Sequence, residues 1–173
     1  VNFTGNTAAR HGGAIGVAGG SSLVVTSPAS FDGNRAVSGC GGGIGALSAA
    51  SAVLQTPISF TGNSAARGGA LCASAASTLE QNSTLTLTRN SASAFGGGVH
   101  LDDRSTATLY VVEAMGNEAG DAGGGLSVTD GSTLRMESGN FDDNLVIGPA
   151  SPEPSLAPTT LTPTPVPTTE APV

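Results

Sequence analysis

The chain has 173 residues, of which 26 are Gly; apolar residues make up 38%, aromatics only 3%, and Trp is absent. So few large side chains cannot fill the core of a helical globule at native density, and the abundance of Gly points to turns and thin stacked layers within one domain. Six Arg, no Lys and thirteen acids leave a net charge of -7, which speaks against a nucleic-acid partner, because basic patches drive binding to phosphate backbones.

Residues 3–15 read FTGNTAARHGGAI and residues 60–71 read FTGNSAARGGAL. The shared phrase is one instance of a repeat. An Asn recurs at Asn6, Asn34, Asn63, Asn90, Asn117 and Asn144, with gaps of 28, 29, 27, 27 and 27 residues. Three positions before it stands Phe3, Phe31, Phe60 or Phe141, with Leu87 and Ala114 in the two remaining copies. Two positions after it comes a small side chain: Ala8, Ala36, Ala65, Ala92, Ala119, then Val146. A glycine pair follows, at Gly12–Gly13, Gly41–Gly42, Gly68–Gly69, Gly96–Gly97 and Gly123–Gly124, opening the runs GGAI, GGGI, GGAL, GGGV and GGGL.

Apolar residues two apart then recur in register. The position two past each glycine run holds Val17, Ala46, Ala73, Leu101 and Val128. Further on come Leu23, Ala52, Leu79, Ala107 and Leu134, and then Val25, Leu54, Gln81, Leu109 and Met136. This alternation marks short strands with one face buried. Each period is therefore expected to hold three strands: the GGAI strand, the SSLVV strand, and one ending in the FxxN corner. Coils of this length stack as a parallel β-helix, with like side chains above one another at the strand spacing of roughly 4.8 Å. The fold class predicted is all-β, a right-handed solenoid of about five coils over residues 1–147. In it Asn is assigned the left-handed corner conformation and an amide ladder between coils, and the Gly pairs are assigned sharp corners. These are structural roles; no catalytic, cofactor-binding or metal-ligating residue is assigned.

The pairing of GGA[ILV] with FxxN, six copies of one motif and five of the other over residues 3 to about 146, resembles the chlamydial polymorphic outer membrane protein repeat. The resemblance implies a right-handed β-helical passenger displayed on a cell surface and used in adhesion. The chain departs from that family after the repeats. An autotransporter continues into a barrel of alternating strands, whereas residues 149–173 read PASPEPSLAPTTLTPTPVPTTEAPV and hold most of the ten prolines. Such a segment resembles a mucin-like stalk, so residues 148–173 are expected to be a disordered linker carrying O-linked sugars. Sequons at Asn2 (NFT) and Asn82 (NST) permit N-glycosylation. The start at Val1, in the middle of a phrase, predicts further coils before it, and no run of 18 apolar residues provides a membrane span.

Four alternatives compete for chemistry. Cys40 and Cys72 could pair, but they occupy different points of the repeat, so free thiols are the plainer reading. A polysaccharide lyase or hydrolase needs clustered carboxylates. The candidates are Asp102, Asp103, Asp121, Asp130, Asp142 and Asp143, with Arg104 beside them, and Asp102, Asp103 and Asp130 could gather on one corner. The simpler reading is that acids in turns keep a lean coil soluble. His11 and His100 are out of register and do not form a pair. An ice-binding face would need flat threonine rows; Ser22, Ser51, Thr78, Thr106 and Thr133 supply one, but the row beside it carries Glu80 and Arg135. That column reads as a hydroxyl ladder. The expected function is a non-enzymatic extracellular or cell-surface module for adhesion or display, without a cofactor, acting on a glycan or protein ligand.

Overall fold

The computed structural model describes residues 1–148; apart from Gly148, the predicted stalk lies outside the described residues. The first coil runs through β1 (Asn2–Thr4), β2 (Thr7–Ala8), β3 (Ile15–Ala18) and β4 (Ser22–Val25). The second runs through β5 (Ala29–Asp32), β6 (Arg35–Ala36), β7 (Ile44–Leu47) and β8 (Ser51–Leu54). The third comprises β9 (Ile58–Thr61), β10 (Ser64–Arg67) and β11 (Leu71–Ser74), and leads into β12 (Thr78–Thr88). The fourth holds β13 (Ser91–Phe95), β14 (Val99–Leu101) and β15 (Thr106–Met115). The fifth holds β16 (Glu118–Ala119), β17 (Leu126–Val128) and β18 (Thr133–Asp142), after which β19 (Leu145–Val146) closes the described region. Every pairing is parallel, and like positions pair with like: Phe3 with Phe31, Phe31 with Phe60, and Leu71 with both Ile44 and Val99.

Three sheets form the walls, but their assignment differs from the expectation. The SSLVV strand and the strand reaching FxxN belong to one sheet, whose main path is β1-β5-β9-β12-β15-β18. The second sheet is β2-β6-β10-β13-β16-β19, made from the residues just past each Asn, and the third is β3-β7-β11-β14-β17. Pro28 and Pro57 explain why the first sheet is split in the early coils: proline cannot donate to a ladder and interrupts the strand. In the third coil no proline intervenes, and β12 runs through as one strand that pairs with both β8 and β9. A bulge between Gln81 and Thr84 absorbs one residue, so the period of 28 on one side of it becomes 27 on the other.

The predicted inward columns line the core, where Leu54, Leu79, Leu87, Leu101 and Leu109 are all buried. Phe3, Phe31 and Phe60 stack face to face with centroids 4.6 Å apart, which sets their rings at the strand spacing. Phe141, on the last coil, is exposed.

The asparagines form the predicted ladder. The Oδ1 of Asn63 accepts from both the backbone N–H and the Nδ2 of Asn34, each at 2.9 Å. Asn63 in turn donates by its N–H and Nδ2 to Asn90 Oδ1, and also by Nδ2 to the carbonyl of Phe31. The pattern continues to Asn117 and Asn144. The left-handed residue is not the Asn, as expected, but the one before it: Gly5, Gly33, Gly62, Arg89, Gly116 and Asp143 all have φ between 50° and 64°. That residue turns the chain, and Asn is left free to bridge coils.

The two glycines of each pair also divide their labour. Gly41 has φ 75°, a conformation that L side chains rarely adopt, whereas a Cβ on Gly42 would collide with the backbone of Gly69 and Ser64 in the next coil. One glycine supplies the turn and the other the close approach.

The hydroxyl ladder is displaced by one residue from the expected column. Ser22, Ser51, Thr78, Thr106 and Thr133 are in register, but the bridging hydroxyls are those of Ser77, Ser105 and Ser132. Ser77 Oγ accepts from the N–H of Ala50, Ser105 Oγ from that of Ser77, and Ser132 Oγ from that of Ser105. These serines sit at the mouth of a turn in which two consecutive residues are left-handed, Ala75 and Ala76 in one coil and Asp103 and Arg104 in the next.

Candidate functional site: the seam of Cys40, Arg67, His100 and Asp102

The corner that opens each glycine run folds back so that residue i approaches residue i+5. In the second coil, for example, a Cβ on Gly45 would lie against the carbonyl of Cys40. Two columns therefore face each other along the outside of the third sheet. One carries His11, Cys40, Arg67, Phe95 and Ala122; the other carries Gly16, Gly45, Cys72, His100 and Ser127. The register confirms both: Cys40 bridges to Arg67 and Phe95 to Ala122, while Gly16 pairs with Gly45, Gly45 with Cys72, Cys72 with His100, and His100 with Ser127.

Cys40 and Cys72 form a disulfide, with Cα atoms 5.5 Å apart. This corrects the reading of two free thiols. They do occupy different points of the repeat, as noted, but a corner step of five residues plus one coil of 27 gives the observed separation of 32. Both are buried. On the chain-entropy model a cross-link closing such a loop stabilises the fold by roughly 3.5 kcal/mol.

One coil further along the same diagonal, Arg67 reaches Asp102 at 2.7 Å. His100 stacks on Phe95 with centroids 5.7 Å apart, and its Nε2 lies 3.5 Å from the same carboxylate oxygen. His100 and Asp102 are 1% and 5% exposed, and His100 Nδ1 and Asp102 Oδ1 have no hydrogen-bond partner. Burial lowers the basicity of the His100 imidazole; Asp102 opposes the shift and Arg67 adds to it. A neutral imidazole beside a carboxylate and a guanidinium can exchange protons or hold an intercoil contact, depending on what reaches it.

Asp102 therefore does not serve as a solubilising acid in a turn; it is covered on the outer face by Arg67 and His100. Asp103 and Asp130 do share one corner, both left-handed and exposed, and Asp103 lies 3.6 Å from Arg104. Asp121, Asp142 and Asp143 are exposed. Among the described residues no three His, Cys, Asp or Glu side chains converge as a metal site, and no helix is long and apolar enough to cross a membrane. Sequence reasoning weighed His100 and Asp102 separately and missed both Arg67 and their meeting, because it compared like positions. The signal that would have found them is the five-residue closure of each glycine corner.

The comparisons agree with the geometry. A model of the right handed β-helix region matches residues 1–150. No curated protein matches the chain, and no solved structure does. With parallel coils, three walls and in-register columns along its length, the chain belongs to the right-handed β-helix family.

Proposed function

We propose that this solenoid is a non-enzymatic extracellular or cell-surface module of the polymorphic outer membrane protein type, serving adhesion or structural display. The observation that supports it best is the buried Cys40–Cys72 disulfide, since such bonds persist in oxidising compartments. Together with the asparagine ladder it ties adjacent coils, a useful property in a rod exposed outside the cell. Both sequon residues, Asn2 and Asn82, are exposed, and Asn82 sits at the bulge of β12, where an attached glycan would point away from the core. Binding of the chain to a glycan array or to cells, without turnover of the bound material, tests this reading; absence of binding to either counts against it.

A second reading, a polysaccharide lyase or hydrolase, is favoured by the cluster of buried His100 and Asp102 with half-buried Arg67 alone. Depolymerisation of pectin or alginate that disappears on Asp102→Asn, with the fold retained by circular dichroism, would establish it in place of the first.

A further inference from the structure

The facing columns of the seam are filled in the third and fourth coils by Cys72 and His100, but in the first two coils the corresponding positions are Gly16 and Gly45. A cleft of about 570 Å³ lies on the outer face of β3 and β7, where Gly16 adds no side chain, lined by Arg10, His11, Gly16, Ala18, Leu47 and Ser48 among others. One coil on, the side chain of Cys72 occupies the floor position and bonds to Cys40.

Its lining is sorted by chemistry. Arg10 is exposed and brings a permanent charge to one wall. The Nδ1 of His11 accepts a hydrogen bond from the backbone N–H of Cys40 at 3.2 Å, so the neutral ring carries its proton on Nε2 and can donate. Burial, and then the charges of Arg10 and Arg67, lower the basicity of that imidazole. Leu47 and Ala18 make an apolar patch, and Ser48 adds a hydroxyl at the rim. The chain carries thirteen acids against six Arg, yet no acid lines this cleft.

We propose that the cleft binds a carboxylated sugar of a glycan. Arg10 pairs with the carboxylate, where two parallel N–H donors match two oxygens. His11 Nε2–H and the Ser48 hydroxyl reach ring or hydroxyl oxygens, and Leu47 with Ala18 packs against the apolar C–H face of the ring. An exposed cation makes the binding sensitive to salt. This inference rests on the adhesive reading above and names its ligand class.

The test is a titration of the whole chain with sialyllactose and with digalacturonate, followed by amide chemical shifts. Lactose and methyl-esterified digalacturonate serve as uncharged counterparts. The acidic sugars are expected to bind and to perturb residues 9–18 and 47–48, and the uncharged ones are not. Arg10→Ala is expected to weaken binding about tenfold or more, as loss of a charge-assisted contact does. Leu47→Trp, which fills the cleft from a partly exposed position, is expected to abolish it with unchanged circular dichroism. Equal binding of the uncharged sugars, no binding of either acidic one, or acidic binding indifferent to both substitutions overturns the proposal. Glycan-array binding retained in both variants removes this site while leaving the adhesive reading in place; an array blank for the unmodified chain removes both.

Discussion

The guanidinium of Arg67 meets the carboxylate of Asp102 at 2.7 Å, one coil beyond the point where Cys40 and Cys72 are joined. Arg67 is the bridge partner of Cys40, and His100 pairs with Cys72. The pair Arg67 and His100 is therefore the disulfide position translated by one coil. Arg67→Cys combined with His100→Cys is expected to form a second cross-link without rearrangement, since Cα atoms at this diagonal already stand 5.5 Å apart in the coil before. Loss of free thiol and a gain of about 3 kcal/mol in denaturant unfolding over the reduced form check it; a double variant that keeps both thiols under oxidising conditions shows that the seam does not repeat.

Position along the asparagine ladder sets the cost of breaking it. Asn63 is fully buried and exchanges hydrogen bonds with Asn34, Asn90 and the Phe31 carbonyl. Asn63→Ala strands several of those groups at once, for an expected loss of about 3–5 kcal/mol. Asn6 lies on the first coil, exposed, and its side chain only donates, by Nδ2 to Asn34 Oδ1; Asn6→Ala is expected to cost about 1 kcal/mol. Urea titrations of the two variants read the difference, and equal losses would mean that the ladder does not carry load.

Ala75 and Ala76 are left-handed, with φ 57° each, in a turn where the first coil uses Gly19 and Gly20. The left-handed conformation costs an L residue roughly 1–2 kcal/mol, while the added freedom of glycine in the unfolded chain costs about 0.4–1 kcal/mol. The first effect is larger. Ala76→Gly is expected to raise stability by about 0.5–1 kcal/mol, seen as a higher melting temperature; a lower one would show that the neighbouring ladder already relieves the strain.

Gln81 sits in the apolar column of Leu54 and Leu109, fully buried, and neither of its amide atoms has a hydrogen-bond partner. Gln81→Leu removes that desolvation cost at similar volume, for an expected gain of about 1–3 kcal/mol. Denaturant unfolding measures it, and a loss of stability would indicate that the amide is satisfied by a bound water.

His100 and His11 are both less basic when folded than the ordinary imidazole, first because of burial. The unfolded chain then binds more protons than the folded one just below pH 6.5, so the stability these residues contribute is complete above that value. It falls as the pH drops toward their folded pKa, by at most about 1.4 kcal/mol per pH unit for each. Around His100 stand Asp102, Arg67 and Asp130. His100→Gln is expected to flatten the stability profile between about pH 7 and 5, and an unchanged slope would place the transition on other groups.

Much of the architecture was legible because parallel in-register stacking places like on like. The recurrence of Asn34, Asn63 and Asn90 announced a ladder, and that of Phe3, Phe31 and Phe60 announced a stack. Attribution within the corner was harder. Gly62 and Asn63 are neighbours that recur with the same period, Gly in four of the six copies, so periodicity did not tell which of them turns the chain and which bridges coils. The same blindness moved the hydroxyl ladder from Ser77 to Thr78 and split the first sheet into two expected walls.

From the amino-acid order alone follow the period, the inward columns and the stacking of coils, since each depends only on which residues recur. Tertiary structure decided the meeting of unlike columns, Cys40 with Cys72 and Arg67 with Asp102, and the cleft beside Gly16. Those contacts depend on how sharply the glycine corner folds back, a backbone angle shared by all copies and therefore invisible in the pattern of their differences.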